Sequence, residues 1–285
     1  MHGSDNIATA FFLNTAFAVI ELIGGMLTNS MAIMSDALHD FGDSLSLGTA
    51  WYFQRKSKQE GSLQYTYGYK RFSLLGAFIN CIVLITGSVF IIKESVERLF
   101  KPEHADAKGM LILAFIGIAV NGVAMLRLKK GSSINERVVS LHFLEDVLGW
   151  VAVLIGATIM LFADVPILDP ILSLLIACFV LFNVYRNIKP AFRIILQGTP
   201  DNLTRKEIEQ LVLGEKEVVE MHDYHLWTMD GEHHILSMHI VVKENMDLKH
   251  AGLLKERIKE QLKQLDIDHA TIEVEYNPEH CSQRH

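Results

Sequence analysis

The sequence predicts a membrane all-α bundle of six transmembrane helices followed by a cytoplasmic α+β domain. Three observations carry this. Half of the 285 residues are apolar and only 21% are charged. The apolar residues gather into long runs ahead of Pro190, each near the roughly 20 residues of helix that cross a bilayer. The charge balance then changes. From Gln197 onward there are 18 acidic and 10 basic residues, a net of −8, against 15 acidic and 16 basic, a net of +1, before it. We therefore expect a six-span membrane domain over residues 1–195 and a soluble, acidic domain over 196–285. Nine of the 13 histidines lie in the second part. An acidic, histidine-rich surface repels nucleic acid and anionic lipid and attracts cations.

The expected spans are Ile7–Leu27, Met31–Phe53, Phe72–Ile92, Met110–Leu128, Val138–Phe162 and Ile167–Ile188. Thr28-Asn29-Ser30 joins the first two as a tight turn. No basic region precedes the first apolar run, so it reads as a span rather than a cleaved signal. Loop charge sets the orientation. Gln54–Arg71 carries Arg55, Lys56, Lys58, Lys70 and Arg71 against Glu60. Arg127–Arg137 and the segment after the sixth span are basic too, and basic loops stay in the cytoplasm. Both termini are thus expected there, with the chain in the cell (inner) membrane. Lys93–Phe100 reads as the amphipathic end of the third helix, its charges solvated. Cys81, Cys178 and Cys281 are scattered and imply no disulfide framework.

The second part reads as α-β-β-α-β. Leu203–Leu213 is a short helix after Thr-Pro-Asp. Val218–Met229 and His233–Lys243 alternate like strands and are joined by Asp230-Gly231, a hairpin signal. Leu248–Leu265 is an amphipathic helix and Ala270–Tyr276 a last strand. This order resembles a ferredoxin-like domain. About 80 residues give a small core, which dimerisation would reinforce.

The chemistry lies in the spans. His142 and Asp146 stand four apart near the start of the fifth span, so they share a helix face. His39 and Asp43 repeat the spacing in the second. Ionisable groups at membrane depth are costly and mark function by default. One such pair is equally well a hydrogen-bonded helix contact. Two pairs on facing helices offer two imidazole nitrogens and two carboxylate oxygens, which suits tetrahedral Zn²⁺. Asp40 competes with Asp43 as ligand, but only Asp43 and Asp146 follow a histidine by four. Asp36, Asp40 and Glu145 either orient the ligands or face a water cavity. Asn14 and Glu21 share a face of the first span. A carboxyl at Glu21 must be protonated, paired or lining water. Asn80 and Asn121 read as interhelical hydrogen-bonding residues.

The ordered set resembles the cation diffusion facilitator family over nearly the whole chain, in its zinc-type bacterial form. Its carriers are the two His-x-x-x-Asp pairs; Asn14, Glu21 and Gly24-Gly25; Asn29-Ser30-Met31-Ala32 into Ser35-Asp36-Ala37; Tyr67-Gly68-Tyr69-Lys70-Arg71; and His222-Asp223-Tyr224-His225-Leu226-Trp227. The resemblance implies a homodimeric antiporter that exports Zn²⁺ from the cytosol in exchange for protons by alternating access. His39, Asp43, His142 and Asp146 would hold the metal. Cd²⁺, Co²⁺ and Ni²⁺ are further candidate cargoes. Metal and protons compete for the same ligands, which fits such exchange. The resemblance also implies a cytoplasmic metal site that senses metal and tightens the dimer, with matching positions at His222 or His225, His239, His269, Glu275 and Cys281, and His250 as another candidate. The loop between spans two and three has no histidine, so no site is expected there. Two other readings compete: a metal-gated channel or sensor, and an intramembrane zinc hydrolase. The hydrolase would need His-Glu-x-x-His, which the sequence lacks.

Overall fold

The computed structural model describes residues 2–129, 134–163, 165–243 and 246–276. Six long helices come first: α1 (His2–Thr28), α2 (Met31–Ser57), α3 (Phe72–Phe100), α4 (Ala107–Lys129), α5 (Ile134–Phe162) and α6 (Leu168–Ile195). Then follow α7 (Arg205–Leu213), β1 (Val218–Thr228), β2 (His234–Val242), α8 (Leu248–Lys263) and β3 (Ile267–Glu275). Both the six-helix part and the α-β-β-α-β order match the expectation. Packing forms two units, Met1–Tyr52 with Gly76–Ile188, and Phe53–Leu75 with Lys189–His285.

In the first unit, segments of α3, α4, α5 and α6 are long and apolar enough to cross a membrane. Their outer faces carry exposed Val89, Phe115, Leu175 and Phe182, side chains that suit lipid. Inside, Phe17, Ile33, Met110, Ala114, Trp150, Val153 and Ala157 pack together. Small residues let the helices approach closely. Gly117 is one of them: a β-carbon there would lie 2.3 Å from the Trp150 ring.

The α1–α2 turn is held from several sides. Asn29 sits at φ 52, a left-handed conformation that asparagine tolerates better than most residues. The Arg98 guanidinium donates to the Asn29 carbonyl and to its side-chain oxygen, each at 2.9 Å. Arg98 also pairs with Glu94 and Glu103. This corrects the expectation for the end of the third helix. Lys93 and Glu97 are solvated, but Arg98 is largely buried as a clamp. Its guanidinium has the planar donor fork that such bridging needs. From α6, Asp169 accepts from Ser30 Oγ at 2.5 Å, from the Met31 amide at 2.7 Å and from the Ala32 amide at 3.3 Å. A carboxylate thus covers the open amides at the start of α2, where the helix dipole favours negative charge. Helix α6 continues past Pro190 to Ile195, beyond Ile188, where the sixth span was expected to end.

In the second unit, β2 is central. It runs antiparallel to β1 and parallel to β3. Leu236, Met238, Ile240 and Val242 of β2 form one core with Ile208 and Val212 of α7 and Leu254, Ile258 and Leu262 of α8. Thr204 caps α7 in a reciprocal box with Glu207, and Asp247 caps α8, satisfying amides that a helix start leaves open. Strand β3 begins at Ile267, three residues earlier than the apolar alternation indicated.

Candidate metal centres

Helices α2 and α5 each present their His-x-x-x-Asp pair on one face, because residues four apart stack along a helix. His39 Nε2 lies 3.7 Å from Asp43 Oδ2, and His142 Nε2 lies 3.8 Å from Asp146 Oδ2. Between the helices, His142 Nε2 lies 3.2 Å from Asp43 Oδ2. The two imidazole rings are 6.0 Å apart and edge-on. Ligand atoms of His39, His142 and Asp146 all fall within 4.8 Å of one another. Tetrahedral zinc, with ligands at about 2.0–2.2 Å, sets its donor atoms about 3.4 Å apart. His39, His142 and Asp146 thus stand near the spacing one ion needs, while Asp43 lies outside that group of three but 3.7 Å from His39 and 3.2 Å from His142. Asp146 is buried, and the Oδ2 atoms of Asp43 and Asp146 have no hydrogen-bond donor. Such acceptors are satisfied by a cation.

The site opens into a cavity of about 410 Å³. Asp36 and His39 of α2, Glu145, Asp146 and Gly149 of α5, and Phe179 of α6 are among its lining residues. Glu145 thus faces the cavity beside the ligands. Asp40 does not join the ligand group. It is buried with both oxygens lacking a donor. Asn80 Oδ1 and both side-chain polar atoms of Asn121 are likewise without hydrogen-bond partners, so the expected interhelical hydrogen bonds do not form at those atoms.

A second cluster lies on the sheet. His222 of β1 is in register with His239 of β2, and His239 with Glu273 of β3. Cross-strand neighbours share a face. His239 Nδ1 is 2.9 Å from Glu275 Oε1, and His222 Nε2 is 3.3 Å from Glu275 Oε2. Ligand atoms of His222, His239 and Glu275 fall within 4.8 Å of one another. Both nitrogens of the buried His222 lack a hydrogen-bond partner. That pattern fits a metal ligand.

Asp223 was not expected here, since alternation would turn it away from His222. The pairing of β1 with β2 shifts between His222 and His225, and Asp223 takes φ 45. This bulge re-aims the side chain, bringing Asp223 Oδ2 within 3.3 Å of His239 Nε2. Glu273 also reaches His239, at 3.4 Å. His225 is exposed and binds Asp223 at 3.0 Å, at the margin of the cluster. His250 sits apart on the α8 cap, 2.7 Å from Asp247. His269 stacks on Tyr67 at 5.4 Å. Cys281 lies outside the described residues.

Residues 7–196 match the family model described as the cation efflux transmembrane domain, and residues 200–277 match that described as the cation efflux protein, cytoplasmic domain. Among similar proteins is a zinc transporter ZitB of Pectobacterium atrosepticum, 36% identical over 287 residues that span 98% of this chain and 88% of that protein. A cadmium, cobalt and zinc/H(+)-K(+) antiporter of Bacillus subtilis is 34% identical, covering 93% of this chain and 87% of its own length. The metal cation efflux system protein CzcD of Cupriavidus metallidurans is 30% identical, covering 98% and 88%.

Proposed function

From the premise that this chain belongs to the cation efflux family, and is thus a multi-pass membrane transporter rather than an enzyme, we propose that it exports Zn²⁺ from the cytosol in exchange for protons. His39, Asp43, His142 and Asp146 hold the metal during transfer. The observation that carries this reading is the meeting of the two pairs, with His142 Nε2 3.2 Å from Asp43 Oδ2 across two helices. Imidazole in the ligand set favours Zn²⁺ over harder cations, while Cd²⁺, Co²⁺ and Ni²⁺ suit similar donors. The named cargoes of the Bacillus relative, cadmium, cobalt and zinc, support that range.

Each ligand must be free of its proton to bind metal. Facing the cytosol, the quartet takes Zn²⁺ and releases protons. Facing a more acidic outside, it takes protons and releases Zn²⁺. The basic Gln54–Arg71 loop supports placing both termini in the cytoplasm, with the chain in the cell (inner) membrane. We further propose a homodimer joined through the domain of residues 196–285, in line with a matching model named for the cytoplasmic domain and dimerisation. His222, His239 and Glu275 bind metal there as a sensor of cytosolic supply.

The test is Zn²⁺ flux into proteoliposomes, with and without a pH gradient, for the wild type, Asp146→Ala and His39→Ala. Gradient-driven uptake lost in both variants is the expected result. Flux that persists in them makes the paired motifs structural. Flux that ignores the gradient in the wild type points to a channel.

A further inference from the structure

The bundle packs as two groups. Phe17 of α1, Ala32 and Ile33 of α2, Met110 and Ala114 of α4, and Trp150 of α5 share one core. Cys81 and Leu84 of α3 share another with Val180 and Val184 of α6. Between α3 and α6, the buried Ser95 Oγ donates to the buried Ser173 Oγ at 2.9 Å. The four-helix group carries both His-x-x-x-Asp pairs, and the α3–α6 pair carries neither.

Polar ties join the two groups at one end, on the α1–α2 turn. Arg98 of α3 grips Asn29 through its carbonyl and its Oδ1. Asp169 of α6 grips Ser30 Oγ and the Met31 and Ala32 amides. Asn29 Nδ2 also donates to Glu103 Oε2 at 3.1 Å, just beyond α3. Around these ties the protein is closed. Ser30, Met31 and Asp169 are exposed by no more than 1%, and Met31 packs with Ile91 of α3 and Ala177 of α6. No residue of α2 from Met31 to Asp40 is exposed, whereas Phe41, Leu47 and Gly48 are. The side chains of Asp43 and His142 are 28% and 30% exposed. Packing is thus tight between the metal site and the turn, and loose beyond the site. In the orientation proposed above, the tight end faces outside.

The ties are also built to be broken and remade. Hydrogen bonds between polar groups are exchanged for bonds to water at small net cost. When the turn leaves, Arg98 keeps Glu94, one turn back on its own helix at 3.4 Å. Its charge is then not left buried and unpaired, which would be far more costly.

We propose that Arg98 with Asn29, and Asp169 with the start of α2, form the outer gate of the transport path. Closed, the gate holds the group that bears the metal ligands against α3 and α6 on the far side, while the site faces the cytosol. Zn²⁺ leaves only after both grips part and the turn moves off the α3–α6 pair. This rests on the export reading above and adds the contacts that keep its two access states apart.

The test reads access from each side in the full-length protein. Ile176 of α6 lines the metal cavity and packs against both groups. Ile176→Cys, in a chain with Cys81, Cys178 and Cys281 replaced by alanine, supplies a thiol for a membrane-impermeant methanethiosulfonate reagent. The reagent is applied to intact cells and, separately, to inside-out vesicles. Two gate variants are compared with this parent. Arg98→Lys keeps the charge and loses the donor fork. Asn29→Gly keeps the left-handed turn and removes the side-chain contacts. Each should label about fivefold faster from outside, the population change that one lost hydrogen bond makes, and more slowly from the cytosolic side. The opposite signs matter, because a merely loosened fold labels faster from both. Unchanged outside labelling in either folded variant, or faster labelling from both sides, overturns the gate. If Arg98→Lys does not fold, Asn29→Gly decides alone. If the parent exports no Zn²⁺, the export reading fails, while the two labelling rates still decide whether these contacts form a gate.

Discussion

Asp169 ties α6 to the start of α2, and its removal gives a graded prediction. Its two oxygens accept from Ser30 Oγ, the Met31 amide and the Ala32 amide at 2.5, 2.7 and 3.3 Å. In Asp169→Asn, the side-chain oxygen keeps the Met31 amide and the new NH₂ donates to Ser30 Oγ, whose hydroxyl turns to accept. The Ala32 amide loses its acceptor. One weak hydrogen bond costs about 1 kcal/mol, and the lost charge at a helix start about another 1 kcal/mol, so about 2 kcal/mol is expected. Asp169→Ala strands all three donors in a buried place. At 1–3 kcal/mol for each unsatisfied group, with partial rehydration, the cost is about 4 kcal/mol. Reversible unfolding of the full-length protein in mixed micelles reads both values. Hydrogen exchange at Met31 and Ala32 should rise in the same order. Equal effects of Asn and Ala, or an Ala variant within 0.5 kcal/mol of wild type, would refute this account of the cap.

Further expectations concern the sheet and the helix seam. His239→Ala and Glu275→Gln should abolish metal binding to the sheet cluster, read by equilibrium dialysis of a His39→Ala background, while leaving Zn²⁺ flux in an otherwise wild-type chain above half. His234 is buried, and burial holds its imidazole below the usual histidine range. The unfolded chain then binds a proton that the folded domain refuses, so stability is full above about pH 6.5 and declines as pH falls further. Protection factors in β1 to β3, corrected for the intrinsic exchange rate, should fall between pH 7.5 and 5.5, and His234→Gln should flatten that response. Gly117→Ala places a methyl against Trp150, at 2.3 Å before relaxation, and should cost about 1–3 kcal/mol by overpacking, measured by the same unfolding assay.

The sequence made the helices and the two His-x-x-x-Asp pairs legible because both depend on local periodicity. A span needs a run of apolar residues, and His-x-x-x-Asp fixes its own geometry within one helical turn. The sheet cluster was only half legible. His222, His239 and Glu275 could be named, but their meeting depends on strand register, and Asp223 depends on a bulge that simple alternation does not encode. Arg98 was misread for a related reason. Its neighbours Lys93 and Glu97 are solvated, and its partner Asn29 is 69 positions away. Asn121 shows the converse: a polar residue in a span suggested a hydrogen bond that its side chain does not make.

The two pairs in the bundle have nearly equal internal spacings, 3.7 Å in α2 and 3.8 Å in α5. Each helix backbone fixes the spacing of its own β-carbons, which bounds how far the two side chains of a pair can part. What is left to vary is the gap between the helices. The proposed centre then works as a caliper with two rigid jaws. Ligand distances tolerate only about ±0.2 Å, so a shift of α2 against α5 by about half an ångström is enough to open the grip. In the proposed transport cycle, release on the far side of the membrane follows from a change in that gap. It requires only that whatever moves these two helices, lipid thickness or a neighbouring subunit included, changes one length.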